Sequence, residues 1–103
     1  MSTYIKTVNL TNANEGYQLS SLLSGILPAD HRVQYLRLWV ATSAWIVPAS
    51  GGYSQTAGTP DDNGGNISSS GLVIDAGAPI IDLDDIFLGA ATANQKVSIL
   101  AFR

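Results

Sequence analysis

The sequence predicts an all-β single domain spanning residues 1–103, on three observations. Short runs rich in β-branched and aromatic residues alternate apolar with polar at period two. Clusters of Gly, Asn, Asp, Ser and Pro separate them at short intervals. No stretch sustains a long helical period. The expected architecture is a β-sandwich of jelly-roll-like form, or a small barrel. It carries one short helical segment near residues 19–27 and a long Gly-rich loop or hairpin arm at 50–71.

The first strand is YIKTVNL (Tyr4–Leu10), in which Ile5, Thr7 and Asn9 alternate with Tyr4, Lys6, Val8 and Leu10. TNANEG (Thr11–Gly16) is turn chemistry and ends it. In LSSLLSGIL, residues Leu19, Leu22, Leu23, Ile26 and Leu27 form a helical stripe. Gly25 weakens that helix, Pro28 closes it, and the serines favour caps and turns, so one to two turns capping the core are expected. The polar face of this segment has no Lys or Arg, which argues against a membrane-surface helix.

RVQYLRLWVATSAWIV (Arg32–Val47) is the strongest strand signal. Leu36, Leu38 and Val40 point one way, and Tyr35, Arg37, Trp39 and Ala41 the other. The second face mixes aromatics with an arginine and is expected to be partly buried. Ala41-Thr42-Ser43 bends or breaks the run, and Pro48 ends it. GLVID (Gly71–Asp75), APIIDL (Ala78–Leu83) and DIFLGAA (Asp85–Ala91) are short β-rich pieces. KVSILAF (Lys96–Phe102) alternates Val97, Ile99 and Ala101 with Ser98, Leu100 and Phe102, a last strand pinned in a sheet.

Charge and composition narrow the function classes. Hydrophobic residues make up 46% and charged residues 13%, against about 25% charged in an ordinary soluble domain. The shortage of solubilising groups hints at surface covered by partners. The net charge of −3 is uneven: residues 1–50 carry +1 and residues 51–103 carry −4. With no basic patch, phosphate-backbone binding has no electrostatic source, and nucleic acid is not an expected partner. Cysteine is absent, so disulfides and thiolate metal sites are excluded. No apolar run approaches a membrane span, and no signal peptide is visible.

A catalytic constellation is hard to assemble. His31, the single histidine, sits in PADHR before a strand, where a surface or capping role is expected. No GxSxG-type elbow accompanies it. Asp82, Asp84 and Asp85 in IDLDDIF offer hard oxygen ligands for calcium, with Asp82 and Asp84 on one face of a strand. The pattern lacks the glycine and distal glutamate of an EF-hand loop, and acidic residues at a strand end suffice to explain it. No cofactor is expected. Trp39, Trp45, Tyr35 and Tyr53 suggest a sugar-stacking platform, but aromatics at alternate strand positions more often fill cores or interfaces.

The stretch SGGYSQTAGTPDDNGGNISSSG (Ser50–Gly71) holds six glycines and cannot build a core. Asn63-Gly64 is the preferred pair of a two-residue hairpin turn. YSQTAGT and NISSSGLV are the expected arms. A lone hairpin without an apolar face is marginal in water, and long unstructured loops in compact domains usually serve a function. An intermolecular contact is therefore expected here, with Trp39, Trp45, Tyr53, Asn63 and Ile67 as candidate interface residues.

The run GLVIDAGAPIIDLDDIFLGAATANQKVSILAFR, preceded by the Gly/Ser/Thr-rich loop containing TAGTP, resembles small β-rich virion proteins of tailed bacteriophages. The likeness covers about the last half of the chain. It implies a non-enzymatic capsid decoration or cement protein, located in the virion and made in the host cytoplasm. A symmetric homo-oligomer, a trimer first, and a major capsid or tail protein are the implied partners. The alternative is a tail- or fibre-associated carbohydrate-binding sandwich used in host attachment.

Overall fold

In the structure, a computed structural model describing residues 2–41, 44–47, 51–52, 65–67 and 70–103, the period-two segments become antiparallel strands. In chain order these are β1 (Thr3–Leu10), β2 (Glu15–Gln18), β3 (Arg32–Val33), β4 (Tyr35–Val40), β5 (Ala44–Val47) and β6 (Gly51–Gly52). They continue with β7 (Gly65–Ile67), β8 (Leu72–Asp75), β9 (Ile81–Asp82), β10 (Phe87–Gly89) and β11 (Gln95–Phe102). One helical turn, α1 (Leu19–Leu22), follows β2, and a 3-10 turn, Leu83–Asp85, follows β9.

The pairing explains the topology. β1 pairs with β11, β2 with β10, β4 with β8, and β5 with β7. The chain is thus one long antiparallel ribbon folded back at the β5–β7 connection. A second set of pairings, β11 with β4 and β10 with β5, rolls that ribbon on itself. The result is two sheets, ordered β1-β11-β4-β8 and β6-β2-β10-β5-β7. Eight strands wound this way make a jelly roll. The separate β3–β9 ladder adds two residue pairs, Arg32 with Asp82 and Val33 with Ile81.

Parity fills the space between the sheets. From the first come Val8, Leu10, Leu36, Leu38, Val40, Val97, Ile99 and Ala101; from the second come Ala44, Ile67 and Leu88. Leu19 and Leu23 of the helical segment, with Val33 and Leu83, complete the same cluster. Burying these side chains supplies the main driving force, about 1.5–3 kcal/mol for each large aliphatic one. The expected inward face of β4 is the observed one, and on β11 the Val97, Ile99 and Ala101 set is the buried one.

The helical segment is one turn, within the one to two expected; Gly25 takes φ +91° and keeps the run from reaching Pro28. Two local expectations need correction. The turn expected over Thr11–Gly16 closes at Asn14 (φ +55°), and Glu15 and Gly16 already belong to β2. Their tertiary partners override weak strand propensity.

The second concerns the Gly-rich stretch. Its left flank, Gly51–Gly52, pairs with Glu15 and Gly16, and its right flank, Gly65–Ile67, pairs with Ala44–Ile46. These flanks sit at opposite edges of the second sheet, four strand spacings or about 19 Å apart. NISSSGLV is therefore not one arm of a self-contained hairpin. Ile67 is fully buried, and burying it favours pairing with β5. Tyr53 and the Asn63-Gly64 turn lie outside the described residues.

Candidate functional site

Several polar side chains meet around α1. Pro28–His31 forms a turn closed by the His31 N–H donating to the Pro28 carbonyl at 3.0 Å, with His31 at φ +55°. The Leu83 N–H donates to the His31 carbonyl at 3.0 Å. The Asp82 carboxylate then accepts from the Asp84 N–H at 3.0 Å and starts the 3-10 turn. These local bonds bring Asp84 Oδ1 to 2.9 Å from His31 Nδ1. On the other side the nearly buried Ser20 hydroxyl neighbours the same carboxylate and favours its ionised form. Gln18 Nε2 donates to the Asp84 carbonyl at 3.0 Å. A shallow cavity of about 250 Å³ is lined by Gln18, Ser20, Ser21, Ser24, His31 and Asp84.

The order of the groups decides what this cluster can do. Nucleophilic catalysis places the base between hydroxyl and carboxylate, so that the base takes the hydroxyl proton. Here the carboxylate is in the middle, between the hydroxyl and the imidazole, and the imidazole is held by the carboxylate instead of facing the hydroxyl. The Ser20 hydroxyl, and His31 after it, hold the Asp84 carboxyl below the usual carboxylate range, which is the wrong direction for a general acid. Ser20, Asp84 and His31 form a clasp joining α1, the 28–31 turn and the 3-10 turn. The His31 imidazole is part-exposed at the surface and pairs with Asp84, while Asp82 caps the 3-10 turn.

The three aspartates do not converge. Asp82 and Asp84 were expected on one strand face, but β9 ends at Asp82 and the chain turns into the 3-10 segment. Asp82 caps, Asp84 joins His31 and Ser20, and Asp85 is exposed. Among the described residues no three His, Cys, Asp or Glu side chains gather closely enough to hold a metal ion.

The other candidate is the outer face of the first sheet. Register places Ile5, Leu100, Arg37 and Val73 in one row across its four strands. The next row is Thr3, Phe102, Tyr35 and Asp75, and on the other side Thr7, Ser98 and Trp39 line up. Ile5 is 67% exposed and Val73 51%. Tyr35 stacks on Phe102 with ring centroids 4.4 Å apart, and the Arg37 guanidinium lies 5.0 Å over the Trp39 ring. Sugar stacking needs an open ring face, and Phe102 and Arg37 already lie against these two rings.

The expected interface residues therefore separate. Trp39 is half-buried on this outer face, whereas Trp45 (1% exposed) and Ile67 are core residues and present nothing to a partner. Tyr53 and Asn63 lie outside the described residues. Sequence reasoning missed Ile5, Val73 and Leu100. The signal was available: once Leu36, Leu38 and Val40 face inward, antiparallel pairing sends these three outward with Arg37. No family model, curated protein or solved structure matches the chain.

Proposed function

We propose that this chain is a non-catalytic structural protein of a bacteriophage particle, associating with copies of itself and coating the shell as a decoration or cement protein. The observation that carries the reading is the outer face of the β1-β11-β4-β8 sheet, with Ile5 and Val73 exposed in one row. Single exposed apolar residues are ordinary on a surface, but Ile5 adjoins Leu100 and the Tyr35–Phe102 pair on this face, and contiguous apolar patches mark contact sites. The low charge content, 13%, supports the same reading, as does the sequence likeness to phage virion proteins. The jelly roll is compatible with it, being a fold of viral capsid and lectin domains alike. Adhesion of this kind needs no reacting group, and the clasp of Ser20, Asp84 and His31 offers none.

The mechanism is mass action. A protein that binds only the assembled shell stabilises it in proportion to its free concentration over Kd. The test is to purify particles from infected cells and look for the chain by mass spectrometry. Purified protein is then added to shells lacking it, and their thermal disruption is followed. Saturable binding with a raised disruption temperature is expected. Absence of the chain from purified particles, with no binding to bare shells, overturns the proposal.

A further inference from the structure

We infer that the outer face of the first sheet is a two-fold interface with a second copy of this chain, in which Arg37 of each copy meets Asp75 of the other. This rests on the structural role proposed above and names the partner and geometry of one of its contacts.

Charge complementarity chooses the occupant. Within the apolar rows the face carries one cation, Arg37, and one anion, Asp75. They are diagonal neighbours on β4 and β8, yet the structure forms no ion pair between them, since Arg37 lies over Trp39 and Asp75 accepts from the Gly77 N–H. A two-fold axis exchanges any two positions, so residue i meets j and j meets i. Placing Arg37 over Asp75 once places it there twice. All four charges are then paired, and the row through Ile5, Leu100 and Val73 is covered.

The edges of the same sheet argue against the other route to self-association, strand addition. β1 is an edge strand of eight residues, long enough to template another chain. At an inward-parity position it carries Lys6, whose ammonium donates to the Leu22 carbonyl at 3.2 Å. An inward-pointing charge on an edge strand is a device that blocks edge pairing. The opposite edge, β8, has only four residues. Both edges are guarded, whereas Ile5 and Val73 on the face are exposed.

Area sets the strength. Four strands by six residues cover about 400 Å² in projection. Two copies thus bury roughly 1,000 Å² once side-chain relief is counted, at the lower limit for a specific interface. Weak association, in the micromolar range or above, follows.

Sedimentation of the full chain from about 1 to 500 μM tests this, with circular dichroism confirming that each variant is folded. The wild type is expected to pass from monomer to dimer. Arg37→Glu and Asp75→Arg are each expected to weaken the dimer about tenfold or more, Val73→Arg to abolish it, and the double swap R37E/D75R to restore it. Restoration is the diagnostic result, because loss of fold or of apolar area cannot be undone by a second charge change. A wild type that stays monomeric throughout, or a dimer indifferent to these variants, overturns the inference. The particle-binding assay judges the structural role separately: wild-type protein that stays monomeric yet binds shells refutes only the dimer.

Discussion

Truncating Leu38 to alanine tests the parity on which both the core and the outer face depend. Leu38 is fully buried on β4, with Ile99 beside it on β11 and Leu72 on β8. Truncating its isobutyl side chain to a methyl forfeits about 2–3 kcal/mol of transfer free energy and leaves a cavity. Both flanks of β4 are hydrogen-bonded to neighbours, so its backbone cannot move in to close the hole. The cost is therefore placed in the upper part of the Leu→Ala range, about 4 kcal/mol. A domain of this size has about 5–15 kcal/mol in total. Val73→Ala, one position further along the neighbouring strand but on the outer face, should cost about 0.5 kcal/mol in dilute solution. The assay is urea unfolding at low micromolar protein, followed by the fluorescence of the buried Trp45. With a denaturant slope of about 1.5 kcal/mol/M, Leu38→Ala should lower the midpoint by about 2.5–3 M and Val73→Ala by about 0.3 M. If Val73→Ala costs as much as Leu38→Ala, the register is shifted by one residue and the outer face is the core.

Other perturbations follow from the same geometry. Lys6→Val removes the inward charge from β1 and should turn that edge into a pairing site; light scattering on concentrated protein should rise, and an unchanged signal would remove Lys6 from its guarding role. Gly71 has φ +92°, and a Cβ there would lie 3.2 Å from the Leu38 carbonyl oxygen. Gly71→Ala should therefore lower stability by about 1–2 kcal/mol, measured by urea unfolding, and a loss under about 0.5 kcal/mol would contradict that conformation. Acid should also destabilise the fold. The Arg103 guanidinium and the Arg32 N–H hold Asp30 below its usual range, and the Ser20 hydroxyl and His31 do the same for Asp84. Because both carboxyl groups are depressed in the folded state, their contribution is complete above the ordinary carboxylate value and is lost as pH falls below it. The melting temperature should fall below about pH 4, and Asp84→Asn should flatten that fall; an identical acid profile in the variant would show that Asp84 carries none of it.

The sequence made the inward faces of the long strands legible because burial imposes period two, and β4 and β11 keep that period without interruption. β8 and β10 were read instead from short β-rich runs bounded by turn residues. The Ser20–Asp84–His31 clasp was illegible. Its members are separated by 11 and 53 positions, and only the 3-10 turn after β9 aims Asp84 at the other two. Local alternation instead predicted a strand there. The flanks of the Gly-rich stretch were misread because Asn63-Gly64 is a strong local hairpin signal, while the partners of Gly51 and Ile67 are chosen by long-range pairing and by the apolar weight of Ile67. The outer face occupies an intermediate case. Its residues follow from parity, but their adjacency depends on the strand order, which the sequence alone leaves open.

That strand order also explains why association should proceed through a face. Rolling a ribbon into a jelly roll brings the first and last strands together, so β1 and β11 are paired in the sheet that carries the exposed row. Leu100 on β11 then lies between Ile5 on β1 and Arg37 on β4. Apolar positions near the two ends of the chain, with Arg37 and Val73 from its middle, thereby form a patch that no local segment possesses. Unfolding disperses the patch, so anything that binds it recognises only the folded state and adds to its stability. For a dimer through this face, that addition grows with protein concentration. The midpoint of urea unfolding should rise on concentrating the wild type and stay fixed for Val73→Arg, whose monomer keeps the same core. A fixed midpoint in both would mean that the exposed row grips nothing of its own kind.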